Sequence, residues 1–152
     1  MKLELIHDNY PWNLLLLADP DRAAISRYLG NSDCYVARDG EVLAGVAVLH
    51  SLSGTTAELM NIAVDPGLQQ KGYGSRILSL LINRLKDQGF QLLEVGTGTF
   101  GYQLKFYQKL GFRVTAIRKD FFLEHYPEPV MEEGLQHKDM LLLSLDLTGS
   151  GQ

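Results

Sequence analysis

The chain has a single cysteine, Cys34, no apolar run long enough to cross a bilayer, and no excess of positive charge. One cysteine excludes an internal disulfide framework and any cysteine-rich metal site. The longest apolar stretches, such as residues 14–18, fall far short of the roughly 20 residues a spanning helix needs. With 14 Lys and Arg against 18 Asp and Glu, the net charge is −4. Neither nucleic acid nor an anionic membrane is therefore expected as a partner. His7, His50, His125 and His137 show no metal-ligand spacing, so no metal is expected. The opening residues alternate polar and apolar without a hydrophobic core segment, so no signal peptide is expected, and a reducing cytoplasm is the expected compartment.

What is present suits one core of ordinary size: 152 residues, 45% hydrophobic and 21% charged. A single domain is expected over residues 1–147, with a flexible tail at 148–152. Residues 2–6 form a candidate edge strand, and 11–17 and 21–29 read as helices broken by Asp19-Pro20. Strands are expected at 33–38 and 41–50, joined by Asp39-Gly40, both of which tolerate positive φ. Another strand at 55–64 completes an antiparallel meander. From 73 to 88 the residues Ile77, Leu78, Leu81, Ile82 and Leu85 keep helical spacing, and Gly89 suits the end of that helix. A strand at 91–97, a short helix at 102–110 and strands at 112–118 and 138–147 follow, with 120–137 irregular. Strand–helix–strand makes 55–64 and 91–97 parallel. The expectation is an α/β (α+β) domain with a mixed, mostly antiparallel sheet of six or seven strands and flanking helices.

Two glycine loops compete as phosphate cradles. In residues 61–76 an apolar strand ends at Val64, Asp65-Pro66-Gly67 turns the chain, and Gly72 and Gly74 open the long helix. Two positions without Cβ let backbone amides converge at a helix N-terminus, where unpaired N–H groups and the helix dipole favour phosphate. Gly96-Thr97-Gly98-Thr99-Phe100-Gly101 also matches G-x-G-x-x-G between a strand and a helix, the dinucleotide fingerprint. Its context is wrong. That fingerprint belongs to the first strand of a doubly wound half-domain, and here a meander precedes it. Neither loop carries the G-K-[S/T] of a P-loop.

Gln69-Gln70-Lys71-Gly72-Tyr73-Gly74 resembles the (Gln/Arg)-x-x-Gly-x-(Gly/Ala) signature of the GNAT superfamily of acyl-CoA N-acyltransferases. The strand at 59–64 looks like that family's central strand. Phe106-Tyr107-Gln108-Lys109-Leu110-Gly111-Phe112 looks like its FYxKLGF segment. The pieces fall in family order, and the likeness covers nearly the whole chain. It implies acetyl-CoA as co-substrate, with its diphosphate on the amides of Gln70, Lys71, Gly72, Tyr73, Gly74 and Ser75. Gln69 belongs to the same signature, and Lys71 and Arg76 would add side-chain charge. Backbone groups of Ile62, Ala63 and Val64 would pair with the pantetheine arm where two parallel strands splay. An amide near Ile62 would stabilise the oxyanion.

The same resemblance gives Tyr107 the role of acid or sulfur-orienting group, and Glu58 that of general base. Glu58 reads equally well as a half-exposed strand glutamate, with a water chain as base. Where many members have an asparagine after the second splayed strand, this chain has Gly98-Thr99, so a contact there would fall to Thr99. Asn61 would orient substrate or satisfy backbone. Family members often dimerise through strand edges, so a homodimer is an assembly the resemblance allows.

Cys34, among apolar strand residues, reads as a buried structural thiol. The segment 120–134 holds Asp120, Glu124, Glu128, Glu132 and Glu133 beside Phe121, Phe122 and Tyr126. That composition suits either a wall for a cationic amine or a solvated acidic loop. The reading is an N-acetyltransferase acting on a primary amine of a small molecule. A protein or peptide amine, and a non-catalytic acyl-CoA binding module, are the alternatives.

Overall fold

The computed structural model describes residues 1–148. Of the tail expected at 148–152, residues 149–152 lie outside the described residues. In chain order the elements are β1 (Lys2–Ile6), α1 (Trp12–Ala18), α2 (Arg22–Leu29), β2 (Asp33–Asp39), β3 (Val42–Ser51), β4 (Thr56–Val64), α3 (Tyr73–Asp87), β5 (Leu92–Thr97), α4 (Tyr102–Lys109), β6 (Arg113–Arg118), α5 (Phe121–His125), β7 (Met131–Glu132), β8 (Leu135–Gln136) and β9 (Met140–Asp146). Seven strands form one sheet in the order β1-β2-β3-β4-β5-β9-β6, and β7 and β8 make a small separate hairpin. Only the β4–β5 pair is parallel among the described strands. The segment expected to be irregular therefore holds a five-residue helix and two two-residue strands.

Alternating side chains in β2 divide the core into two layers. Tyr35 and Ala37 join the cluster under α3, whereas Cys34 and Val36 join the one under α1 and α2. The first layer is closed by Ile77, Leu78, Leu81 and Leu85 of α3, all buried. Each such side chain contributes about 1.5–3 kcal/mol by leaving water. Gly89, at φ 90°, takes the left-handed conformation that ends this helix. Cys34 is buried in the second layer, and burial pushes its thiol up to about 11. It stays a thiol at neutral pH.

Two irregularities in β4 shape the site. Val48 pairs with Asn61 but Leu49 pairs with Leu59, so Met60 is an extra residue bulged out of the ladder. The bulge swaps faces: Leu59 packs in the α3 layer, and Ala63 packs in the α1–α2 layer. On the other edge, β4 and β5 pair only from Thr56↔Leu92 to Leu59↔Val95. Beyond that point the strands part, while β4 keeps pairing with β3 as far as Val64↔Gly45. Residues 60–64 therefore present one edge with no neighbouring strand.

Candidate active site

The chain turns from β4 into α3 through Gln70 at φ 65° and Gly72 at φ 82°. A Cβ added at Gly72 would meet nothing, so the glycine is there for its backbone conformation, not to relieve crowding. The first amide of α3 to find a helical partner is that of Arg76, which donates to the Gly72 carbonyl at 3.1 Å. Among the described residues, the amides of residues 70–75 donate to no backbone or side-chain acceptor. They gather at the positive end of a 15-residue helix. Such a group of donors is matched by an anion with several oxygens.

All of these residues but Lys71 line a cavity of about 550 Å³ that runs along the free edge of β4. Ile62, Ala63, Val64, Gln69, Gln70, Gly72, Tyr73, Gly74 and Ser75 all border it, with Lys105, Phe106, Tyr107 and Lys109 of α4 opposite. The Gln69 side-chain amide donates to the Val64 carbonyl at 3.2 Å, tying the turn to the end of the strand. Tyr73 donates to Asp39 at 2.8 Å, a bond that raises its phenol pKa. Lys71 and Arg76 are exposed and do not line the cavity; the Arg76 guanidinium sits 5.1 Å from the Tyr73 ring centre. Thr99 is exposed and borders neither this cavity nor the next.

A second cavity, of about 470 Å³, lies across the same gap. Its walls draw on α1, α2, β3, β4, β5, α4, β6, α5 and β9, and include Asp19, Tyr28, Glu58, Asn61, Arg118 and Tyr126. The two cavities share Ala18, Ile62, Gln103 and Tyr107. They meet where β4 leaves β5. Tyr107 is 3% exposed, with its ring edge-on to Phe106 at 5.2 Å and Phe112 at 5.3 Å. Burial raises its phenol well above the ordinary value, so it is protonated throughout the neutral range. Its hydroxyl has no hydrogen-bond partner among the described residues.

Glu58 also faces this second cavity. Desolvation raises its carboxyl; Arg118 opposes that rise, Glu94 adds to it and His50 opposes it. Asn61 is 4% exposed, and its amide donates to the Leu15 carbonyl at 3.0 Å and to the Tyr28 hydroxyl at 3.1 Å. Its Nδ2 thus satisfies backbone, one of the two expected roles. Asp19 is a buried carboxylate in the break between α1 and α2. It accepts from the Tyr126 hydroxyl at 3.2 Å, the Tyr28 hydroxyl at 3.4 Å and the Asp21 amide at 3.2 Å. Burial raises its carboxyl pKa above the ordinary value, and the amide and hydroxyl donors offset part of that.

The acidic segment does not wall the cavity with its acids. Phe121, Phe122, His125 and Tyr126 line it, whereas Asp120, Glu124, Glu128, Glu132 and Glu133 do not. Glu132 instead accepts from His137 Nε2 at 2.8 Å and from the Tyr102 amide, the first of α4, at 3.2 Å. His137 is stacked on Phe100 with centroids 4.1 Å apart. This clasp explains the other glycine loop. A Cβ at Gly96 would come within 2.6 Å of Met140, one at Gly98 would collide with His137, and one at Gly101 with Glu132. The three glycines make room for neighbouring side chains and open no phosphate cradle.

Sequence reasoning missed Asp19, Tyr28, Gln103, Lys105, Lys109 and Arg118 and placed Tyr126, with Phe121 and Phe122, in the segment that lines the cavity. Lys105 and Lys109, four apart on one helix, offered a signal; the others gather only through tertiary contacts. Among the described residues no group of three or more His, Cys, Asp and Glu is placed to hold a metal, and no helix is long and apolar enough to cross a membrane.

An amide cradle at a helix N-terminus beside a splayed strand pair is the architecture of an acyl-CoA-dependent acyltransferase. The model of the GNAT acetyltransferase family matches residues 3–112. An uncharacterized N-acetyltransferase of Bacillus subtilis, YvbK, is 46% identical over 137 residues, covering 90% of this chain and 88% of that protein. A GNAT family acetyltransferase from Elizabethkingia anophelis, solved with acetyl-CoA bound, superposes with a TM-score of 0.90 at 38% identity, covering 95% of this chain and 97% of its own. A Bacillus subtilis acetyltransferase in complex with CoA gives 0.86 at 43% identity, with 95% and 97% covered. The chain belongs to the GNAT family and is an N-acetyltransferase.

Proposed function

We propose that the enzyme moves the acetyl group of acetyl-CoA onto a primary amine of a small molecule, by direct attack within a ternary complex. The observation that carries this reading is the junction of two cavities at Ile62 and Tyr107, where β4 parts from β5. Acetyl-CoA enters from the α3 side. Its diphosphate accepts from the amides of residues 70–75, and its pantetheine arm lies along the free edge of Ile62, Ala63 and Val64. Lys105 and Lys109 add positive charge on the opposite wall. The acceptor enters from the other cavity, whose cover of α2 and α5 favours a small molecule over a protein chain.

The neutral amine nitrogen attacks the thioester carbon, and negative charge develops on the carbonyl oxygen beside an amide near Ile62. The amine proton passes to Glu58, directly or through water. The C–S bond then breaks, and the departing sulfur takes the Tyr107 proton. Exchange with solvent restores both side chains. Most of the acceleration comes from holding the amine and thioester together in one dry junction.

Free-thiol release, measured while both substrates are varied across a panel of small amines, peptides and antibiotics, tests the proposal. Intersecting initial-rate lines with small amines are expected; turnover confined to peptides would overturn the small-molecule reading. Gly72→Glu should abolish acetyl-CoA binding by placing a carboxylate at the cradle. The left-handed strain it adds, about 1–2 kcal/mol, leaves the fold intact.

A further inference from the structure

The cavity that receives the acceptor has an unusual balance of charge. Asp19 and Glu58 contribute two carboxyl groups, Arg27 and Arg118 two guanidinium groups, and His50 and His125 two imidazoles. A site for a polycation would hold an excess of acid. This one does not.

The groups also differ in how far they are already engaged. Asp19 is occupied by two tyrosine hydroxyls and a backbone amide. His50 and His125 each donate through Nδ1 to a main-chain carbonyl, of Asn31 at 3.0 Å and of Phe121 at 2.9 Å. The side chains of Glu58, Arg27 and Arg118, by contrast, make no hydrogen bond or salt bridge among the described residues, and of the two guanidinium groups it is Arg118 that opposes the rise of the Glu58 carboxyl. An acid and a guanidinium, both uncommitted, thus face one cavity of about 470 Å³. Arg118 ends β6, and the Asp120 amide two residues on donates to the Asp139 carboxylate at 2.7 Å. That bond fixes the turn that sends α5 over the cavity. Phe121, Phe122 and Tyr126 supply aromatic surface around the two charges.

We infer that the acceptor is an amine that also carries a carboxylate, an amino acid or a compound like one, with Arg118 receiving the carboxylate and Glu58 facing the amine. A planar guanidinium matches a carboxylate through paired N–H donors, and Arg118, an exposed residue on the cavity wall, can turn that fork toward a bound acceptor. Glu58 and Arg118 line the same cavity, so one small molecule within it can meet both charges. This inference rests on the reading of this cavity as the acceptor site and narrows its substrate class.

The test uses matched pairs differing only in the carboxylate: alanine with ethylamine, leucine with 3-methylbutylamine, and phenylalanine with 2-phenylethylamine. Rates of thiol release are compared at equal concentrations of neutral amine, because the carboxylate also shifts the amine pKa. In parallel, calorimetry measures binding of the N-acetylated forms of all six to the enzyme loaded with CoA. At least one pair should favour the carboxylate by about tenfold or more, the scale of one charge-assisted hydrogen bond. Arg118→Gln should bring that ratio close to one, and Arg118→Lys should recover part of it.

Equal or better handling of the carboxylate-free member in all three pairs, in both assays, would overturn the inference. A ratio unchanged in Arg118→Gln would overturn the assignment of Arg118. Should no amine release thiol while the carboxylate forms still bind more tightly, the acetyl-transfer reading of the cavity fails and the carboxylate site stands.

Discussion

Replacing Tyr107 by phenylalanine removes one oxygen from the junction of the two cavities and leaves the ring in place. The ring keeps its edge-on contacts with Phe106 and Phe112. Its hydroxyl has no partner among the described residues, so no donor or acceptor of the protein is left unsatisfied. The cost in stability should be below about 1 kcal/mol. The kinetic cost should be much larger. A positioned proton donor contributes about 10²–10⁴ in rate, or roughly 2.7–5.4 kcal/mol at 1.36 kcal/mol per tenfold. Because CoA thiolate leaves fairly readily, the lower end, about a hundredfold, is expected. The assay is thiol release at saturating acetyl-CoA, with Tm as the control for folding. The loss should fall on kcat, with the acetyl-CoA KM little changed. Burial holds the phenol above its ordinary value of 10.0, so the wild-type rate should show no fall from phenol ionisation below that pH. A variant with kcat within twofold of wild type, or a loss seen only in KM, would refute the assignment.

Glu58→Gln should remove the acidic limb of the pH–rate profile, because the base must be ionised to accept a proton. Since burial raises the Glu58 carboxyl above its ordinary 4.5, the folded state binds that proton more tightly than the unfolded chain. Stability from this group is then lost as pH rises from the ordinary value through the raised one, so Glu58→Gln should raise Tm near neutrality and not below pH 4. Gly98→Ala should destabilise by about 1–3 kcal/mol in denaturant titration, because its Cβ would strike the buried His137. Without that loss, the close-packing account of the second glycine loop is wrong. Glu128→Gln with Glu133→Gln should leave the acceptor KM unchanged, since both side chains lie outside the cavity lining; a marked rise in KM would return the acidic segment to the site.

The strands and the long helix were legible because their patterns are local. Asp39-Gly40 marks the hairpin, and Ile77, Leu78, Leu81 and Leu85 mark one face of α3. The expected ends differ from the observed ones by a residue or two, the usual scatter of frayed termini. The helix α5 and the hairpin β7–β8 escaped notice because five and two residues are too few to show a period. The turn into α3, proposed as the phosphate cradle, could be read from Gly72 and Gly74 beside a strand end, since glycine at a helix N-terminus has a direct backbone meaning. The separation of β4 from β5 could not. Alternation reports which face of a strand is buried and is silent on which edge is paired.

The cavity proposed for the acceptor was the least legible part. Asp19, Tyr28 and Tyr126 meet across 107 residues of chain, and none carries a spacing signal. The acids of 120–134 suggested a cationic ligand, yet the fold turns the aromatic residues of that segment inward. The second glycine loop illustrates the same limit. Its three glycines match a cofactor motif, and each is instead required by a side chain distant in sequence.

The most direct test of the account is a crystal structure of the enzyme with acetyl-CoA. The diphosphate oxygens should lie about 3 Å from the main-chain nitrogens of residues 70–75, with the thioester beside Ile62 and Tyr107. A diphosphate seated on the 96–101 loop, or a thioester remote from the point where β4 and β5 separate, would contradict it.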